Sequence, residues 1–433
     1  MSTPSRIRLM PGVWLTAVRT RKFKSSYWSA LLLTPLSRET AAMTAVLPRV
    51  LRRGTAEYPD QEQLGAALDE LYGGIVEPAV LKLGEIQAAG FAATFLDDAL
   101  AWDETPISYK AAELLGDLLL RPATRNGRLR ADYVDSERDN LIAEIKSQRN
   151  DKERYAALRL RQEMCRGEAY EIDRLGSLET AGRIRAAKLD RHYKTLLQES
   201  RIELYYCGSQ PIDQIRQAWV ESLMGLPRKG SYELPSTKVT VHPEEVREVR
   251  EVLDVTQAKL ALGLRTQTRL DQPDYPALLV TNALLGASPG SRLFQNVREK
   301  RSLCYNAFSA LDRHKGLMTI QAGVAPDRAE EAKTAILAEL EAVRAGAFTA
   351  RELETARRYA VNELLSAGDS QVGLCRFYRG QALAEPSLTL EELTAMVREV
   401  TAEEVKAAAG RLELDTVYLL TGDEGEEAEH GAT

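Results

Sequence analysis

Histidine is scarce in this chain. Its 433 residues include four, His192, His242, His314 and His430, and no two lie within a helical turn of each other. Neither H-E-x-x-H nor H-x-x-E-H can be written anywhere, which excludes a local zinc motif of either order. A catalytic zinc needs three protein ligands and an activated water, and no local cluster supplies them. Taken singly, each histidine reads as a surface or packing residue. Cysteine is equally sparse. Cys165, Cys207, Cys304 and Cys375 are scattered without metal spacing, which suits a reduced, cytoplasmic setting.

Positive charge is not in excess either. With 57 Lys and Arg against 63 Asp and Glu, the net charge is −6 and the pI is near 5.6. The basic footprint of a nucleic-acid binder is absent. There is no long apolar run. The most apolar short stretch near the start, Ser29 to Leu36, is too short to cross a bilayer. Met1 to Thr20 has basic residues but neither an apolar core nor a small-residue cleavage site, so no signal peptide is expected.

What is present is an ordinary globular composition, 44% hydrophobic and 28% charged, at a length that suits two or more domains. The chain repeats itself once, with a period too long for a solenoid and right for two homologous domains. One copy opens with strand-like Val13–Val18 and Ser25–Leu33, the other with Val246–Leu253 and Ala258–Leu264. Helix-like runs follow, Glu39–Arg53 before Gly54 and Asp274–Leu285 before Gly286, each glycine standing where helices often end. Then come strand pairs, Gly74–Leu83 with Ile86–Phe95 and Tyr305–Leu311 with Leu317–Val324. Helices with apolar residues at three- and four-residue steps come next. The best-matched pair sets Asp135–Arg149 against Glu354–Gly368, with Arg138 on Arg357 and Glu144 on Glu363.

Runs of strands followed by runs of helices predict an α+β fold of two homologous domains, each a largely antiparallel sheet packed against helices. The expected boundaries are 1–226, a Pro-, Gly- and Ser-rich linker over 227–244, and 245–423. An acidic tail, 424–433, is expected to be disordered.

Two segments look chemical. Gly286-Ala287-Ser288-Pro289-Gly290 matches the serine-hydrolase elbow G-x-S-x-G. That elbow follows a strand, and the residue after its serine must donate a backbone N–H to the oxyanion. Here a helix-like run precedes it, and Pro289 has no N–H, so a tight turn is the better reading. The second segment, Ser291–Ala310, reads SRLFQNVREKRSLCYNAFSA. Its Arg298 and Tyr305 suit either a solvated helix end with a half-buried tyrosine or a pair that binds carbonyl, carboxylate or oxyanion oxygens.

This second segment resembles the second-half signature of the pitrilysin/insulinase/mitochondrial processing peptidase family, the inverzincins. Val46–Gly74, VLPRVLRRGTAEYPDQEQLGAALDELYGG, looks like that family's first-half zinc helix and its trailing turns. Glu137–Asp151, ERDNLIAEIKSQRND, looks like the distal segment that supplies a glutamate ligand. The resemblance spans nearly the whole chain. It implies that Ala45 and Arg49 stand where the family has its two zinc histidines, and Pro48 where it has its general-base glutamate. Glu144 matches the distal glutamate, at a longer spacing because of apparent extra residues near Trp102–Thr105 and Thr124–Arg130. An interior Pro48 should disturb its helix.

The Arg298/Tyr305 pair survives. By resemblance it contacts substrate and assists a zinc centre, with Gly290 and Ser291 in the preceding loop as further substrate-binding candidates. Some bacterial members split the zinc motif and the Arg/Tyr pair between two chains. This sequence is similar to the zinc-less kind, some of which are linked to elongation factor P modification and others to peptide maturation. The resemblance implies no cofactor in this chain, zinc in a homologous partner subunit, a peptide substrate and a heterodimer, with a homodimer open to the chain alone. The alternatives are an inert scaffold or assembly subunit, a stand-alone peptide-binding protein, and an enzyme whose site is not visible in the sequence.

Overall fold

A computed structural model describes residues 3–230, 232–239 and 241–422; the acidic tail 424–433 lies outside the described residues. The chain forms two compact units. One comprises 1–146, 172–236 and 367–383, the other 147–171, 237–366 and 384–433.

The first unit is built on strands β1 Ser5–Met10, β2 Val13–Arg19, β3 Ser25–Pro35, β4 Ile75–Leu83, β5 Ile86–Leu96 and β8 Arg201–Gly208, with a short hairpin of β6 Thr124–Arg125 and β7 Arg128–Leu129 set apart. The sheet order is β1-β2-β8-β3-β5-β4. Every pairing is antiparallel except β2 with β8. In β3, Trp28, Ala30 and Leu32 pack into the main core while Leu31 and Leu33 join a second cluster with Leu83 and Ile86. Both faces of this central strand are covered, so it reads as a continuous apolar run and not as an alternation.

The second unit repeats the plan with β9 Arg247–Val252, β10 Ala258–Arg265, β11 Cys304–Asp312, β12 Leu317–Val324 and β13 Glu413–Thr421, in the order β11-β12-β10-β13-β9. Again one pair, β13 with β9, is parallel. β9, β10, β11, β12 and β13 thus occupy the places of β2, β3, β4, β5 and β8. The duplicated, largely antiparallel α+β architecture read from the sequence is the one observed. The charge-valine alternation of 246–253 belongs to β9, an edge strand.

The units are not contiguous halves of the chain, as the expected boundaries 1–226 and 245–423 had them. One of the points where the chain passes between the units is Ser236–Thr237. Helix Lys152–Met164, from the first half of the sequence, packs on β10 and β13 of the second unit. Helix Gln371–Gln381, from the second half, packs on β8 and β3 of the first. The two repeats exchange one helix each, onto equivalent strands. Local periodicity marks these helices as amphipathic but does not say which sheet covers their apolar face.

Specific contacts hold both exchanges. Gln371 Nε2 donates to the carbonyls of Ser25 (2.6 Å) and Cys207 (2.9 Å). In the second unit Glu251 accepts from the Tyr155 hydroxyl at 2.7 Å and from Arg159 Nε at 3.1 Å. Gly263 of β10 leaves room for the helix above it, since a Cβ there would lie 2.7 Å from Met164 Sδ. Below the helix, buried Arg265 donates to Asp415 (2.9 Å), Glu168 (2.7 Å) and the Met164 carbonyl (2.7 Å). Glu168 also pairs with Lys315, whose side chain is fully buried.

Gly54 and Gly286 sit near helix ends for a reason other than a left-handed cap. Neither has positive φ. A Cβ on Gly54 would lie 2.6 Å from the Pro59 backbone, and one on Gly286 2.6 Å from Ser309 Oγ. Close approach is what requires glycine there.

Removing Glu168 takes one of its two carboxylates from buried Arg265, which keeps Asp415, and takes a carboxylate from buried Lys315, which keeps the Lys238 carbonyl. Glu168→Ala is therefore expected to cost about 3–5 kcal/mol, read as a fall in the urea midpoint at pH 7. A loss of less than about 1 kcal/mol, the size of an exposed pair, would mean that the cluster does not hold the exchanged segment.

Candidate functional site

Helix Ala41–Leu51 is where the family resemblance puts a metal site. It packs against β5 and β4, and Arg49 is its only residue that is not buried. Ala45 is fully buried among Ala42, Val46 and their neighbours. Pro48 lies in the helix interior, yet the helix runs through it, with Arg52 N donating to the Pro48 carbonyl at 2.9 Å. Pro48 removes one helical hydrogen bond without ending the helix, because burial of almost every side chain holds it. Thr44, whose carbonyl loses the N–H that proline lacks, hydrogen-bonds through its hydroxyl to His192 Nε2 at 2.8 Å.

Glu144 is brought to this helix from Ala131–Ser147, where its carboxylate pairs with the Arg49 guanidinium. It is no solitary surface carboxylate. One turn along, Arg53 pairs with Glu137 at 2.9 Å, and Arg52 Nε donates to the Val76 carbonyl at 2.8 Å. The extra residues that lengthen the spacing form the β6–β7 hairpin and an exposed loop at Trp102. A cleft of about 730 Å³ beside these groups carries three arginines, Arg49, Arg52 and Arg174, and three glutamates, Glu77, Glu137 and Glu144. Its charge is balanced from within.

A zinc ion needs lone pairs from imidazole, thiolate or carboxylate. Ala45 and Pro48 offer none, and Arg49 is a cation with donors only. Among the described residues no group of three or more His, Cys, Asp or Glu could hold a metal ion. The residues do not fit the family's metal.

The second candidate region begins at the turn Ser288–Ser291. Gly290 is exposed. Ser291 is fully buried, its N–H bonded to the Ser288 carbonyl at 3.0 Å and its hydroxyl facing Phe294 N at 3.4 Å. Of the two loop candidates only Gly290 reaches solvent. The chain then forms a wide, π-type helix, Leu293–Lys300. Arg292, which sequence reasoning passed over, anchors it: Nε donates to Glu339 (2.8 Å) and Nη1 to Glu352 (2.9 Å) and the Ala347 carbonyl (2.9 Å). Its place two residues after Pro289-Gly290 marks a turn, but no pattern in the sequence points to its partners.

Arg298 leaves this helix with its guanidinium 4.5 Å from the centre of the Phe294 ring and 3.7 Å from Glu299. Ser302, with φ of +51°, turns the chain into β11. Burial pushes the Cys304 thiol up to about 11, with the Arg298 charge opposing the rise; the guanidinium is thus felt at the root of β11. Tyr305 comes next and is 72% exposed. Cys304 pairs with Val324 and Asn306 with Gly323, so Tyr305 is the extra residue of a bulge. Tyr305 also lines a cleft of about 780 Å³ with Gln257, Pro326 and Asp327. Tyr305 is thus displayed to solvent by an ordered turn, where the plainer reading had it half-buried, while Arg298 lies partly exposed near the end of its helix.

A duplicated α+β chain whose metal helix has lost its donors, while a guanidinium and a phenol stay accessible, is an inactive metallopeptidase by class. Comparison with known proteins agrees. Residues 183–359 match the family described as Peptidase M16 inactive domain. The chain is 33% identical over 415 residues to the probable inactive metalloprotease YmfF of Bacillus subtilis, covering 96% of this chain and 97% of the relative. It is 34% identical over 146 residues to the antilisterial bacteriocin subtilosin biosynthesis protein AlbE of Bacillus subtilis, covering 34% and 36%. The crystal structure of a conserved protein from Enterococcus faecalis superposes with a TM-score of 0.88 at 28% identity, covering 98% of this chain and 99% of that one. The chain belongs to the M16 peptidase family, the pitrilysin/insulinase group, as an inactive metalloprotease homologue. Among the described residues no helix is long and apolar enough to cross a membrane.

Burial, with Lys188 adding to it, lowers His192 from 6.5 to about 4. The folded state favours the neutral ring, so this contribution is full above pH 6.5 and is lost as pH falls through the window down to 4. His192→Gln is expected to flatten the pH dependence of the urea midpoint across that window; an unchanged slope would place the titration elsewhere. Arg49 and Glu144 are partly exposed, so a double-mutant cycle with alanine at both is expected to give a coupling of about 1 kcal/mol or less. A much larger coupling would make the pair a structural keystone.

Proposed function

We propose that this chain is the non-metal, substrate-binding subunit of a heterodimeric zinc endopeptidase that acts on peptides. The observation that carries the proposal is an asymmetry. The metal helix is neutralised from within by Arg49 and Glu144, while Arg298 stays partly exposed and Tyr305 exposed on a braced turn.

In this reading a homologous partner holds the zinc, its bound water and the general base. The chain described here adds two donors. The Arg298 guanidinium binds a peptide carbonyl or carboxylate, and the Tyr305 O–H donates to the oxygen on which negative charge builds. Gly290 offers exposed backbone to the same peptide; Ser291, facing inward, holds the turn in shape. The 34% identity to a bacteriocin biosynthesis protein over a third of the chain supports peptide maturation as the setting. Four buried cysteines, none of them in a disulfide among the described residues, support a reducing, cytoplasmic compartment.

The test is to co-purify the chain with a zinc-motif homologue from the same genome and assay peptide cleavage by each chain and by the pair. Only the pair should cleave. Tyr305→Phe should lower kcat by about 100-fold, the scale of one lost oxyanion donor, and Arg298→Ala should lower kcat/KM. If both variants cleave as well as the unaltered pair, the assisting role is wrong. A stable pair that never cleaves would make the chain an assembly subunit.

A further inference from the structure

Tyr305 is presented by a bulge, and a bulge leaves a gap in the ladder beside it. At this one the unmatched donor is the N–H of Gly323, in a buried stretch of β12. A buried N–H without a partner is costly. The Asn306 side chain supplies that partner, Oδ1 accepting from Gly323 N at 2.7 Å. Gly323 has no side chain to interfere; a Cβ there would sit 2.7 Å from the same oxygen. With Oδ1 committed to a donor, the Asn306 amide has one orientation, and Nδ2 faces the Glu153 carboxylate at 3.3 Å. Glu153 lies in the first turn of the exchanged helix Lys152–Met164, whose start is fixed by the Asp151 cap on Arg154 N at 3.0 Å. The residue after the phenol is therefore clamped from two sides, by a backbone donor on β12 and by a carboxylate on the exchanged helix.

We propose that Asn306 and Glu153 are positioning residues for Tyr305, an inference that rests on the reading of Tyr305 as a substrate-side donor. Asn306 closes the bulge so that Tyr305 cannot slip into the ladder. Glu153 holds the amide in the orientation that does so. An amide suits position 306 in this arrangement, because its oxygen accepts from an N–H while its nitrogen donates to a carboxylate. Aspartate there would keep the Gly323 bond and set two carboxylates against each other. Exchanging both groups, Asn306→Asp with Glu153→Gln, restores one donor and one acceptor in reversed order.

The experiment has two readouts. In the isolated chain labelled with fluorotyrosine, fluorine NMR follows the Tyr305 resonance, identified by its loss in Tyr305→Phe. Asn306→Ala and Asn306→Asp should move that resonance towards the position of free fluorotyrosine. The N306D/E153Q double variant should return it. In the reconstituted pair, the two single variants should lower kcat by roughly 10- to 100-fold, the cost of a small misplacement of a reacting group. KM should change little, and the double variant should recover most of the loss. A Tyr305 resonance unmoved by Asn306→Ala overturns the inference, as does a double variant no better than Asn306→Asp. If Tyr305→Phe leaves turnover of the pair intact, the proposed function fails, and the NMR series still decides whether Asn306 and Glu153 set the ring's position.

Discussion

A guanidinium taken out of water has to be paired, and Arg265 meets that demand with groups from distant parts of the chain. Asp415 comes from β13, while Glu168 and the Met164 carbonyl come from the segment that the first repeat lends to the second. Pairing this one cation fixes where the helix Lys152–Met164 ends. Its beginning then places Glu153 against Asn306, and Asn306 against the bulge that displays Tyr305. One exchanged helix thus carries contacts at both ends, to the buried Arg265 at its C-terminus and to Asn306 in its first turn.

The first unit meets a different electrostatic constraint. A glutamate directed at a helix face needs positive charge there, whether or not a metal supplies it. Arg49 provides it within the chain, and Arg53 with Glu137 repeats the arrangement one turn on. Replacement of donors by Ala45 and Pro48 thus goes with replacement of the metal's charge by a side chain. The cleft is lined by as many arginines as glutamates, so its lining carries no net negative charge.

The duplication was legible in the sequence because it is written in local patterns. Strand pairs Ile75–Leu83 with Ile86–Leu96 and Cys304–Asp312 with Leu317–Val324 fall within a residue or two of where the patterning put them. The partnership of Glu144 with the degenerate helix was legible only through the family resemblance, since ninety-five residues and a hairpin separate it from Arg49. Arg292, Asn306 and Glu153 were not singled out. Nothing in a lone arginine, asparagine or glutamate announces that its partner will be Glu339, Gly323 or Asn306.

What the sequence determined by itself is chemical identity and local period. Ala45, Pro48 and Arg49 cannot ligate zinc in any conformation, and Arg298 and Tyr305 remain a cation and a phenol wherever they lie. Apolar spacing alone specifies which face of each helix must be covered. The tertiary structure decided what covers it. The exchange of helices between the repeats, the inward turn of Ser291, the continuation of the helix through Pro48 and the bulge at Tyr305 all follow from contacts between residues far apart in the chain. A local pattern records that a surface is apolar or that a donor needs an acceptor; which of many distant groups satisfies it is settled when the whole chain packs and every buried charge and N–H has to find a partner at once.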